Sequence, residues 1–183
     1  MPQAMLVLAD GFEEMEAISI IDILRRARFK VFVTGLDSVE VTSCRGVNIV
    51  ADSVLSDELD HEFDIIILPG GEPGSTHLQN SELLGQVLRK QHEQKKWIGA
   101  ICSAPRILAS LGLLDGVKAT SFPLARPMMT GCIYDDKPVV IDQHFITGAG
   151  PGPAMKFALA IVEKLVGREA ASDIKKAMLY DLR

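Results

Sequence analysis

Hydrophobic and polar positions along the chain keep switching between two periods, and the switches mark its elements. The run "AMLVLA" (4–9) is continuously apolar and is closed by the breaker pair Asp10-Gly11, which predicts a short strand ending in a turn. Between Glu14 and Phe29, Ile18, Ile21 and Leu24 recur at helical spacing. "KVFVTGL" (30–36) reads as a second strand, and two strands joined through a helix predict a parallel βαβ unit. "VEVTSC" and "VNIVAD" flank Arg45-Gly46, the pattern of a hairpin set beside the main sheet. "DIIILPGG" (64–71) carries four consecutive aliphatics before Pro69, as expected of a central parallel strand covered on both faces. Residues 81–95 place Leu83, Leu84, Val87 and Leu88 on one side of a helix, and "WIGAI" (97–101) is the next strand. Pro105 fits the first turn of a helix running through "RILASLGLL", because an amide there has no intrahelical acceptor to lose.

Past Asp115-Gly116 come a short "VKATS", a turn-rich stretch to Thr130, and two strand-like runs, "KPVVID" and "HFITGAG", expected as another antiparallel or edge pair. A helix over 153–166 ends at Gly167, and "REAASDIKKAMLYDLR" is a weaker amphipathic helix with Ala171, Ile174 and Met178 loosely spaced. The alternation of strands and helices predicts an α/β fold, a doubly wound and mostly parallel sheet with helices on both faces. Active sites in that architecture gather beyond the carboxyl ends of the strands.

Composition narrows the class. The chain has 183 residues, 48% hydrophobic and 23% charged, which suits one domain over 1–183 and neither a disordered nor a membrane protein. A net charge of −5 opposes binding to nucleic acid, and the one basic stretch, "QHEQKK" (91–96), is short and mixed in sign. The first apolar run has no basic stretch before it and is too short for a signal peptide core or a membrane span, so a cytoplasmic location is expected. The three cysteines, at 44, 102 and 132, form no CxxC pair, and the histidines at 61, 77, 92 and 144 show no HxH or HxxxH spacing. Neither a disulfide framework nor a metal site is expected.

The candidate chemistry lies at three strand ends. They carry Asp10-Gly11 with Glu13, Glu14 and Glu16 nearby, then Gly70-Gly71, then Cys102-Ser103. A nucleophile on a sharp strand-to-helix turn stands clear of the sheet, with backbone amides close to where an oxyanion develops. Gly71 and Ser103 are placed to supply those amides, and glycine at 70 and 71 permits close approach and positive φ. A free thiol with a pKa of about 8.5 is only a few per cent ionised at neutral pH. Lowering it by three units takes roughly 4 kcal/mol of preference for the anion. A helix N-terminus gives typically about 0.3–1 kcal/mol and a charge-assisted hydrogen bond roughly 1.5–3, so a donor beside the sulfur is required. A glutamate can serve only if burial keeps it protonated, and the two groups then titrate as a unit. Against this stands the ordinary role of a free cysteine as a small buried hydrophobe, which suffices for Cys44 and Cys132.

Taken together, "ADGFEEMEA" (9–17), "DIIILPGG" (64–71), "GAICSAP" (99–105), "GPG" (150–152) and "FALAIVEKLVG" (157–167) resemble the ThiJ/PfpI superfamily, most closely its parkinsonism-associated deglycase branch and its bacterial relatives. The resemblance implies a flavodoxin-like sandwich, usually a homodimer, without a cofactor. Cys102 matches the easily oxidised nucleophile, Glu16 the protonated glutamate beside it, and Gly71 and Ser103 the oxyanion amides. Asp22, Arg45 and the "GPG" turn match positions near the family's dimer contact. Two departures follow from the same comparison. Phe122 stands where several members carry a histidine, and Ser103 stands where the peptidase branch has one, so a Cys-His dyad and peptidase activity are unsupported. Ala149 precedes Gly150 where some relatives have arginine.

The expected function is a cysteine-dependent glyoxalase or deglycase acting on a small aldehyde or dicarbonyl such as methylglyoxal, and on early glycation adducts. The alternative is a redox-responsive stress protein or chaperone that senses peroxide through the same sulfur.

Overall fold

The computed structural model describes residues 1–180. In chain order its main elements are β1 (Gln3–Leu8), α1 (Glu14–Arg26), β2 (Lys30–Gly35), β3 (Glu40–Thr42), β4 (Asn48–Val50), β5 (Ser53–Val54) and β6 (Ile65–Leu68). They continue with α2 (Gly74–Asn80), α3 (Glu82–Glu93), β7 (Trp97–Ile101), α4 (Pro105–Ser110), β8 (Lys118–Ala119), β9 (Ile133–Tyr134), β10 (Val139–Asp142), β11 (Phe145–Gly148), α5 (Ala154–Leu165) and α6 (Arg168–Ala177).

The main sheet runs β10-β11-β7-β6-β1-β2-β5. Its five central strands, β2-β1-β6-β7-β11, are all parallel, and their order is that of a flavodoxin-like sheet. Two-residue periodicity divides the core. In β1, Ala4, Leu6 and Leu8 face α1, α5 and α6, while Met5 and Val7 face α2, α3 and α4. Ile65 and Ile67 of β6 likewise turn one way and Ile66 and Leu68 the other, which is why these strands are apolar throughout rather than alternating. The order of the sheet reverses between β1 and β6, opening a crevice at their carboxyl ends.

Several expectations need correction. The helix predicted to reach Phe29 ends at Arg26, where Arg28 turns with φ +62°. Its buried face is Glu16, Ala17, Ile20, Ile23 and Leu24, not the Ile18 face, and Ile18 is 49% exposed. The helix after Pro105 stops at Ser110; Leu113 and Leu114 are buried by the turns beyond it, which Gly112 opens at φ +71°. The expected antiparallel pair of "KPVVID" and "HFITGAG" does form, as β10 and β11, with β10 at the edge of the sheet and β11 also pairing in parallel with β7. Three elements carried no signal: β5 and β9 are each two residues long, and α2 buries a single large apolar side chain, Leu78. The hairpin β3–β4 forms its own two-stranded sheet, and β8 pairs with β9 apart from the main sheet. The last predicted helix is α6, and residues 181–183 of that segment lie outside the described residues.

Candidate active site

The loop after β1 is clamped from two sides. The hairpin holds it through Gly11 N–H to the Thr42 carbonyl (2.7 Å), Cys44 N–H to the Phe12 carbonyl (2.8 Å) and Thr42 N–H to Asp10 Oδ1 (2.8 Å). On the other side Glu13 N–H donates to the Gly70 carbonyl at 2.8 Å. Gly71 has φ +95°, and a Cβ there would run into Glu13 N and the Gly11 carbonyl. Only glycine allows the two strand-end loops to meet this closely.

That contact sets the entry of α1 and carries Glu16 inside. Glu16 lies on the same helical face as Ile20 and Ile23, is wholly buried, and its Oε2 accepts from Gly70 N–H at 2.7 Å. Oε1 makes no hydrogen bond of ordinary geometry among the described residues. Burial pushes the carboxyl from its ordinary 4.5 to about 7, against the opposing pull of Gly70 N–H and of the Cys102 thiol.

Cys102 follows β7 with φ +64°, a left-handed conformation that costs free energy for a residue with a Cβ. Its N–H donates to the Gly148 carbonyl (2.9 Å) and its carbonyl accepts from Phe122 N–H (2.7 Å). Pairing on both sides holds the strained turn. Gly70 packs against the side chain: a Cβ added at 70 would sit 2.5 Å from Cys102 Cβ and 3.0 Å from Sγ. Burial first, then the charge and hydrogen bond of Glu16, push the thiol up to about 12, while the Ser103 and Gly71 amides act in the opposite direction.

These two shifts describe one coupled pair. With Glu16 ionised, its charge opposes a thiolate. With Glu16 protonated, that repulsion vanishes and the carboxyl becomes a potential donor to the sulfur. An ionised Glu16 is instead favoured by Gly70 N–H and by the Cys102 thiol, both of which oppose the effect of burial. A thiolate at Cys102 therefore requires the protonated carboxyl, because the charge of an ionised Glu16 raises the thiol.

Cys102, Glu16, Gly71 and Ser103 thus meet at one rim of the sheet. Ser103 is buried, with its Oγ 2.7 Å from Ser75 Oγ. Asp22 lies away from this cluster and accepts from Arg26 Nε at 2.7 Å on the exposed side of α1. Arg45 pairs with Glu13 Oε2 at 2.5 Å. Glu13, Glu14 and Cys44 bring potential ligand atoms within 4.8 Å of one another, but Arg45 Nη1 contacts both Glu13 and Cys44 Sγ, placing a cation among them. Burial and the Glu13 carboxylate push the Cys44 thiol up to about 11. Phe122 lines the rim, 37% exposed, with its ring 3.3 Å from where a Cβ on Gly150 would lie. Ala149 N–H is taken up by the Pro138 carbonyl at 2.9 Å.

Sequence reasoning treated Gly70 as room for a ligand, whereas its space goes to the cysteine and its N–H to Glu16. It missed Ser75, Glu72 and Arg106, which flank the site; polar residues in and around the short α2 offer no periodic signal.

A parallel five-strand core, with a strained cysteine turn facing a buried carboxyl across its crevice, defines a cysteine-centred protein of the flavodoxin-like class. The DJ-1/PfpI family model matches residues 2–164, and the chain belongs to that family. It is 42% identical over 179 residues to Protein dj-1beta of Drosophila melanogaster, covering 96% of each chain. It is 37% identical over 175 residues to the glutathione-independent glyoxalase DJR-1.2 of Caenorhabditis elegans, covering 94% of this chain and 93% of that one. Protein DJ-1 homolog B of Arabidopsis thaliana is 44% identical over 180 residues, and there the match covers 97% of this chain but only 41% of the relative. Among solved structures, oxidised DJ-1 of Toxoplasma gondii superimposes with a TM-score of 0.95 at 34% identity, over 99% of this chain and all of that one. Among the described residues no helix is long and apolar enough to cross a membrane.

Proposed function

We propose that the protein is a cofactor-free, cysteine-dependent glyoxalase or deglycase that acts on methylglyoxal, related reactive carbonyls and early glycation adducts. The observation that carries this reading is the wholly buried Glu16, raised to about 7 by burial, with one oxygen on Gly70 N–H and its carboxyl interacting with the Cys102 thiol. Such a carboxyl holds a proton near neutral pH and can give it up, as proton transfer next to a carbonyl requires. The relative named as a glutathione-independent glyoxalase supports the same chemistry.

In this mechanism Cys102 thiolate attacks the aldehyde carbon, forming an S–C1 bond, and the Gly71 and Ser103 amides hold the developing alkoxide. Glu16 protonates that oxygen to give a hemithioacetal. The resulting carboxylate removes the C1 proton and returns it to C2, while the hydroxyl proton passes to the C2 oxygen. C1 is thereby oxidised to a thioester and C2 reduced to an alcohol, with no external oxidant. Water cleaves the S–C1 bond and releases lactate and the thiol. Phe122 offers no base, so Glu16 and water carry every proton.

Lactate formation by wild type, Cys102→Ser and Glu16→Gln tests the mechanism. Both variants should lose at least about a hundredfold in kcat, the scale of a lost proton-transfer group; turnover that persists in Cys102→Ser refutes it.

The exposed apolar side chains of α1 and the hairpin, among them Ile18 and Val50 (49% and 75% exposed), support a homodimer formed across that face. A redox-responsive role draws on the same pair, since a protonated Glu16 can donate to an oxidised sulfur.

A further inference from the structure

The sheet fixes β6 and β7 only as far as Leu68 and Ala100, which pair in register. Gly71 and Ser103 lie three residues beyond those ends on separate loops, so sheet hydrogen bonds do not set the distance between their amides. A second set of contacts does. Gly71 is followed by Glu72 and then α2, which carries Ser75 and Thr76; Ser103 is followed by α4, which carries Arg106.

Two polar links cross between these segments. In the first, Ser75 N–H donates to the Gly71 carbonyl at 2.9 Å, and the wholly buried Ser75 Oγ lies 2.7 Å from Ser103 Oγ. The Gly71 carbonyl is thereby tied to Ser103 through one residue. In the second, Arg106 Nη2 reaches Glu72 Oε1 at 2.8 Å and Thr76 Oγ1 at 2.9 Å, while Thr76 Oγ1 donates to Glu72 Oε2 at 2.8 Å. The ring is closed, and both carboxylate oxygens are used.

An ordinary surface ion pair contributes little, but the Arg106 side chain is only 12% exposed. Its Nε is buried without a partner among the described residues. Holding a guanidinium there costs desolvation that folding stability alone does not require, whereas fixing two loops at the chemistry does.

We infer that this brace, the Ser75–Ser103 hydroxyl pair with the Arg106–Glu72–Thr76 ring, positions the Gly71 and Ser103 amides against Cys102. Ser75, Glu72, Thr76 and Arg106 are then positioning residues for the oxyanion site. The inference rests on the reaction proposed above for its catalytic consequence. It has a second consequence that does not: the same two amides favour the thiolate, so loosening them makes the thiolate form at higher pH.

The test uses Ser75→Ala, which removes the buried hydroxyl, and Arg106→Met, which keeps an apolar stem but removes the Nη2 that binds both Glu72 and Thr76. The thiolate absorbance of Cys102 near 240 nm is followed against pH, with Cys102→Ser as the blank, alongside kcat, KM and the melting temperature. The expected result is a midpoint raised by about half a unit to one unit, the scale of a weakened hydrogen bond to an anion. On methylglyoxal, kcat should fall about tenfold or more with KM within twofold, as for a displaced catalytic donor. An unchanged midpoint in the folded variants, whatever their melting temperatures, overturns the brace and leaves a stabilising contact only. If wild type fails to turn over methylglyoxal, the glyoxalase reading falls, and the midpoint alone still decides the brace.

Discussion

Removing the sulfur isolates the burial of Glu16 and turns it into a measurable stability difference. In the Cys102→Ala variant the carboxyl still accepts from Gly70 N–H and is still wholly buried, while the thiol that drew its pKa down is gone. The rise from 4.5 to about 7 therefore persists or grows. At about 1.4 kcal/mol per unit, it corresponds to about 3 kcal/mol. The sign follows from proton binding: a group whose pKa is raised by folding holds more protons in the native state across that interval. Its stabilisation is complete below pH 4.5 and is lost as pH rises through 7. Urea unfolding of Cys102→Ala and of the Cys102→Ala/Glu16→Gln double variant, followed by Trp97 fluorescence from pH 4.5 to 8, reads the effect. The other titrating groups cancel in the difference. The single variant should lose about 3 kcal/mol relative to the double variant over that range. A difference that stays within about 0.5 kcal/mol would mean that Glu16 is solvated, and the proton-holding role would fall with it.

Gly70→Ala should displace Cys102, since the added methyl would lie 2.5 Å from its Cβ. It should cost about 1–3 kcal/mol of stability, as overpacking does, and slow iodoacetamide alkylation of Cys102 severalfold; wild-type alkylation would refute the packing. Intact-mass analysis during peroxide titration should show Cys102 oxidised before Cys44, because Cys44 Sγ is held 3.5 Å from both the Glu13 and Glu14 carboxylates whereas the Gly71 and Ser103 amides favour an anion on Cys102; the reverse order would count against a thiolate at 102. Val50→Glu should shift the protein toward monomer in sedimentation velocity, because a charge on that 75% exposed side chain would be trapped in the proposed interface; an unchanged sedimentation coefficient would exclude the face.

The central sheet is legible because its strands are buried on both sides: no polar residue interrupts Ile65–Leu68, and a breaker follows β6 at once and β1 within two residues. The face of α1 is not legible in the same way. Isoleucines at 18, 20, 21 and 23 wrap more than one side of the helix, and only packing against α5 and β1 selects Ile20 and Ile23. Because Glu16 travels with that choice, its burial could be reached only through the resemblance. Cys102 stood out as a thiol at a strand end, but the close approach of Gly70 depends on the register of two neighbouring strands. Ser75 and Arg106 acquire meaning only where α2 and α4 meet, a contact that no local pattern encodes.

Glu16 and the Gly70 amide are 54 positions apart, and Cys102 is anchored to Gly148 from a third region of the chain. No fragment shorter than most of the protein can assemble this environment. During synthesis, or after local opening of the sheet, the sulfur is an ordinary cysteine with a pKa of about 8.5, and the surroundings proposed to activate it are complete only once all three regions have docked. Chemical labelling of that one atom therefore doubles as a clock for completion of the fold.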